Sequence, residues 1–288
     1  MLTTILTLSA LTFAVLYPLC FWISVDNPLK QYFHRFHLGL TCCVAGIVVF
    51  SFFANSPLFI NNQLALIRIL GVVWVSSLLL ITFFYWHRDY PHPAVLTLPC
   101  CLGAYLLFGW QAYYVRPGIL AHLPEIINGD VQPICGSFTI SLAIDSAVVT
   151  LVGGFVLISA IFAMNLGHWY LNVHGLSLHH LKRATQVLGF FALLRLSFDL
   201  LQLVTLRVIY VGDEIFLYQF MLTTDGFFLW IALFFGTIFP LAGLYFVNGT
   251  LDAKNTQATT GILYAILSAV FIGDLTYKYY LIKFGFIL

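Results

Sequence analysis

Eight of the nine histidines of this chain fall in a few short stretches: His34 and His37; His87 and His92; and His168, His174, His179 and His180. A neutral imidazole is a ligand for zinc, copper, iron or haem iron, so these eight are candidate metal or haem ligands. A second set is ionisable and lies in apolar surroundings: Asp145, Arg195, Asp199, Asp225 and Asp274. Arg195 precedes Asp199 by one helical turn, which makes an ion pair available on one helix face. Such groups in hydrocarbon are costly and are expected to face a bundle interior or a wet cavity, where they would form a proton or ion pathway. A third set consists of two thiol pairs, Cys42 with Cys43 and Cys100 with Cys101.

Two of these motifs repeat. His34-Arg-Phe-His-Leu-Gly-Leu-Thr-Cys-Cys43 and His92-Pro-Ala-Val-Leu-Thr-Leu-Pro-Cys-Cys101 both read H-x3-L-x-L-x-C-C, 58 positions apart, and both open helical runs. A duplicated helical hairpin would explain the match. Within each copy the histidine and the first cysteine are about 12 Å apart along a helix, too far to bind one ion, so the imidazole and thiol sites would be separate. Several signals are missing from the sequence: there is no glycine-rich phosphate loop, no G-x-S-x-G, no C-x-x-C and no C-x-x-C-H.

The elements that must position these residues follow from composition. The 288 residues are 61% hydrophobic and 8% charged, against roughly 25% charged in an average soluble domain. The net charge of +1 leaves no basic face for a nucleic-acid backbone, so nucleic acid is not an expected partner. A span of hydrocarbon takes roughly 20 apolar residues. The chain divides into eight such runs, near 2–24, 36–54, 63–86, 94–115, 138–164, 184–208, 216–247 and 258–284, with a long connection at 116–137 read as an external cap. The fold class is therefore an all-α, polytopic membrane bundle forming a single transmembrane domain. The opening run has no Lys or Arg ahead of it and is read as a membrane helix, not as a cleaved leader.

Lys30, Arg35, Arg88, Lys182, Arg183 and Lys254 fall in or beside the odd-numbered connections, which places those connections inside and both termini outside. On the opposite side Arg116 lies in a loop, while residues such as Lys278 and Lys283 read as helix-end basic groups. The histidines then gather at the inner face and the aspartates lie in the outer half. A bacterial inner (plasma) membrane is the expected location, with the lipid bilayer as solvent.

This arrangement suggests a redox role first. Inner-face histidines would bind haem or a transition metal, a quinone would serve as a possible partner, and the acidic layer would conduct protons. A proton- or cation-coupled transporter or channel is the alternative, and a lipid-modifying membrane enzyme is a third reading. Quinone, lipid or a small ion are the possible ligands, and partner membrane subunits or further copies of the chain the possible protein partners. The plainer alternative is that the histidines anchor the bundle at the headgroups and the aspartates tie helices together.

Overall fold

The computed structural model describes residues 1–24, 33–54, 62–88, 91–114, 136–173, 177–210 and 213–288. Of the expected features, His174 and most of the 116–137 connection lie outside the described residues. Among those residues there are eight helical stretches long and apolar enough to cross a membrane. Their contacts divide the chain into two units, 2–114 and 115–288, the latter joined by Met1.

The first unit holds four helical runs. α1 (Leu2–Leu16) tightens into a 3₁₀ turn over Tyr17–Ser24, where Pro18 has no N–H to donate to the carbonyl of Ala14. α2 (Phe33–Ala54), α3 (Asn62–Tyr85) and α4 (Pro93–Tyr114) follow. α1 packs on α2 and α4, and α3 closes the ring against the same two helices. The repeated motif has a counterpart in this packing. Leu38 and Leu96, which occupy equivalent positions in the two copies, meet in one buried cluster with Phe21. Cys42 and Cys100 are both buried, and Cys43 and Cys101 are both exposed. The histidines depart from the pattern, since His34 is buried and His92 exposed.

The second unit begins with α5 (Gly136–Asn172), which runs beyond the expected 138–164 and carries His168 on the helix itself. α6 (His179–Thr205) starts five residues before the expected 184. The expected helix 216–247 is replaced at its start by other structure. Strands β1 (Arg207–Tyr210) and β2 (Asp213–Phe216) pair antiparallel, with Arg207 opposite Phe216 and Tyr210 opposite Asp213. A single short helix, α7 (Leu217–Phe220), and a turn come next. The long helix begins only at Phe227, as α8 (Phe227–Leu233), a π-helical turn over Phe234–Ile238, and α9 (Phe239–Asp252). Pro240 accounts for the irregularity: it cannot donate to the carbonyl of Gly236, so the regular α ladder is interrupted there. α10 (Thr256–Phe284) completes the unit.

α10 is the hub, packed on α5, α8, α9 and the π turn. It approaches the π turn so closely that a Cβ added to Gly273 would lie 2.3 Å from the Cα of Gly236. Only a pair of glycines permits that backbone contact. At its end Gly285 takes a left-handed conformation, φ 71°, and turns the chain back. Phe286 and Leu288 then join Val208, Phe220, Leu229 and Tyr280 in a buried apolar cluster. Elsewhere the helices expose large apolar side chains, among them Phe50 at 71%, Phe83 at 84% and Tyr245 at 78%.

Candidate functional site

The charged residues that the structure brings together lie in the second unit, on facing turns of α6 and α10. Arg195 and Asp199 are one turn apart on α6, and both are at least 95% buried. Arg195 Nε lies 3.0 Å from Asp199 Oδ1. The N–H is poorly aligned with that oxygen, so the pair is held by charge more than by an aligned hydrogen bond. Asp199 Oδ2 accepts a 2.6 Å hydrogen bond from the Tyr277 hydroxyl of α10. The Tyr277 ring also lies under the guanidinium, with 4.0 Å from Arg195 Cζ to the ring centroid, in cation–π contact. Arg195 Nη1 donates to the carbonyl of Val149 on α5 at 3.3 Å.

One turn on α10 supplies the second pair. Lys278 Nζ donates to both oxygens of Asp274, at 2.7 and 2.5 Å, and both side chains are buried, 4% and 7% exposed. The two pairs are neighbours across α5. A Cβ built on Gly153 would lie 3.1 Å from Arg195 Nη1 and 4.0 Å from Asp274 Oδ1. Two cations and two anions thus share one buried cluster, with charges that sum to zero when all are ionised.

Beside them is a small cavity lined by Thr150, Gly153 and Val156 of α5, Arg195 of α6, Gly236 of the π turn and Asp274, Tyr277 and Lys278 of α10. It leaves about 30 Å³ of room to the centres of water molecules, enough for about two waters. Arg195 Nη2 is buried and has no hydrogen-bond acceptor among the described residues. By helix rise, Asp199 lies about 9 Å from the end of α6, and Asp274 about 15 Å from the end of α10.

The other expected pathway residues lie elsewhere. Asp145 is exposed on α5. Asp225 is exposed in the turn before α8, where its Oδ2 accepts from the Tyr210 hydroxyl at 3.2 Å. It contacts the hairpin and precedes the helix, which starts at Phe227 and not at the expected 216. Conversely, Lys278 and Tyr277 belong to the cluster although the sequence reading did not select them.

The histidines are engaged in separate contacts. His34 Nε2 is 3.2 Å from the Tyr85 carbonyl, so that nitrogen carries the proton. His37 Nδ1 is 2.6 Å from the Tyr17 hydroxyl, and the Phe33 ring lies tilted against its ring, 4.1 Å between centroids. His87, His92, His168 and His179 are exposed and His180 is buried; His168 contacts the Tyr264 hydroxyl at 3.3 Å. Among the described residues no three of His, Cys, Asp or Glu come together as a metal ion would require. The thiols of each cysteine pair diverge, one buried and one exposed, and Cys42 Sγ contacts the Thr82 hydroxyl at 3.1 Å.

Comparison with protein-family models, with curated proteins and with solved structures finds no match to this chain.

Proposed function

We propose that the chain is a proton-coupled membrane transporter whose proton site is the Asp274–Lys278 pair beside Arg195, Asp199 and Tyr277. The eight apolar stretches and the large apolar side chains they expose fit insertion in a bilayer, with both termini outside by the distribution of Lys and Arg. The observation that carries the functional reading is the buried four-charge cluster at a wet-sized cavity. Ion pairs of this kind are a poor source of stability compared with apolar packing, and in membrane helices they mark ion and proton routes. The π turn and Pro240 place an irregular helix at the same cavity, as in carriers with discontinuous helices.

The two pairs are chemically unequal. Arg195 does not lose its proton and stays opposite Asp199, which also accepts from the Tyr277 hydroxyl. Asp274 is opposed by a lysine, whose three donors rotate freely and whose amine can exchange a proton. Asp274 lines the cavity and Asp199 does not, so in this reading a proton arriving through the cavity goes to Asp274. That step removes the attraction holding Lys278 Nζ and leaves one unbalanced positive charge in the cluster. The haem- or quinone-linked reading relied on converging histidines; the charge cluster is the stronger support.

The test is proton movement into proteoliposomes, reported by a pH-sensitive dye, as gradients of inorganic ions and small organic solutes are imposed one at a time. One solute gradient should drive protons in the wild type, and Asp274→Asn and Lys278→Met should abolish the movement. The proposal falls if no gradient moves protons, or if both variants move them as the wild type does.

A further inference from the structure

We infer that the solute moved with the proton is a monatomic anion of chloride's size, bound in the cavity between Gly153, Arg195 and Lys278; this rests on the transporter reading above. The argument begins with which hydrogen-bonding groups are already used. Asp199 is engaged by Arg195 and Tyr277, and Asp274 takes both bonds from Lys278. Within the cavity lining, Arg195 Nη2 is a buried donor without an acceptor among the described residues and Lys278 keeps a third N–H, while Asp199 Oδ1, a buried oxygen also without a hydrogen bond, lies outside the lining. A cavity lined by spare donors calls for an acceptor. Its room of about 30 Å³ suits either two waters or one halide and is too small for an organic substrate.

Charge balance links the anion to the proton. Among the described residues, the ionisable groups that share the cavity or its ion pairs with Asp274 are Lys278 and Tyr277 on its own helix and Arg195 with Asp199 on α6; α5 and the π turn bring Thr150, Gly153 and Gly236. With all four charged groups ionised the cluster is neutral. Protonation of Asp274 leaves it at plus one and frees Lys278 Nζ, and one halide restores neutrality. Proton and anion therefore enter together, and the buried site is neutral both empty and loaded, avoiding the cost of a net charge in hydrocarbon. Gly153 is the gate on size: a methyl group there would come within 3.1 Å of Arg195 Nη1.

Two measurements test this. In equilibrium dialysis of the purified protein with radioactive chloride, the wild type should bind one ion per chain, displaced by bromide, with an affinity that rises as the pH is lowered. Gly153→Ala, which keeps every charge and fills the space, should weaken binding about tenfold or more; Val270 of α10 also lines the cavity, and Val270→Leu fills it from that side if Gly153→Ala does not fold. In proteoliposomes held at zero potential, an inward chloride gradient should acidify the interior and a gluconate gradient should not. Absence of saturable chloride binding, or binding unchanged by the filled cavity, overturns the inference. If another solute drives protons and chloride does not, the anion assignment falls and the transporter reading stands; if no solute does, both fall.

Discussion

The Asp274–Lys278 pair lends itself to a double-mutant cycle because both groups are almost fully buried and satisfy each other. Replacing Lys278 by Met leaves the Asp274 carboxylate, 7% exposed, without the two bonds that Nζ donates at 2.7 and 2.5 Å. Replacing Asp274 by Leu strands the Lys278 ammonium beside Arg195. Removing one member of a buried pair costs about 3–5 kcal/mol, whereas replacing both by apolar residues of similar volume is close to neutral. Each single variant should therefore lower the folding equilibrium by two to nearly four powers of ten, and the double variant Asp274→Leu/Lys278→Met should recover most of that loss. The assay is reversible unfolding of the purified protein in mixed micelles with rising denaturing detergent, followed by circular dichroism. Single losses below about 1 kcal/mol, the range of exposed pairs, would refute the reasoning. So would a double variant whose loss equals the sum of the two singles.

Other substitutions probe the surroundings with the same unfolding assay. Tyr277→Phe keeps the ring beneath Arg195 but deletes the hydroxyl that donates to Asp199 at 2.6 Å, and a loss of about 1.5–3 kcal/mol is expected for a hydrogen bond to a charged group. Gly273→Ala puts a Cβ 2.3 Å from the Gly236 backbone; a loss of about 1–3 kcal/mol or more is expected from overpacking, with reduced proton movement because Tyr277 and Lys278 ride on the same helix. Arg207→Gln removes an exposed hairpin ion pair whose partner Glu214 lies 3.6 Å away, and the change should stay below about 1 kcal/mol.

The helices were legible in the sequence because a span needs a long apolar run, and the described residues hold eight of them. The Arg195–Asp199 pair was legible for a similar reason, since its spacing of four is one helical turn. Asp274 and Lys278 have the same spacing, so the signal for Lys278 was present; it was hidden by reading Lys278 as a helix-end basic residue that reaches for the headgroups. Tyr277 carried no such mark, being one of 15 tyrosines, and its role depends on α10 facing α6, which is tertiary. Asp225 was misplaced because the short polar break Thr223-Thr224-Asp225-Gly226, the turn ahead of Phe227, lies between apolar stretches that together are long enough to read as one helix. The hairpin was missed because its strands are only four residues each, too short to compete with the surrounding apolar helices. The histidines were legible as a group in sequence, but proximity along the chain did not translate into convergence, since His34 and His37 each turn to a different tyrosine.

The central claim is that Asp274 takes up the transported proton, and infrared difference spectroscopy of the protein in lipid tests it most directly. On acidification the wild type should gain the carbonyl stretch of a protonated carboxylic acid, and Asp274→Asn should lose that band while Asp145→Asn keeps it. Persistence of the band in Asp274→Asn, or its absence from the wild type throughout the acid range in which the protein stays folded, would contradict the account.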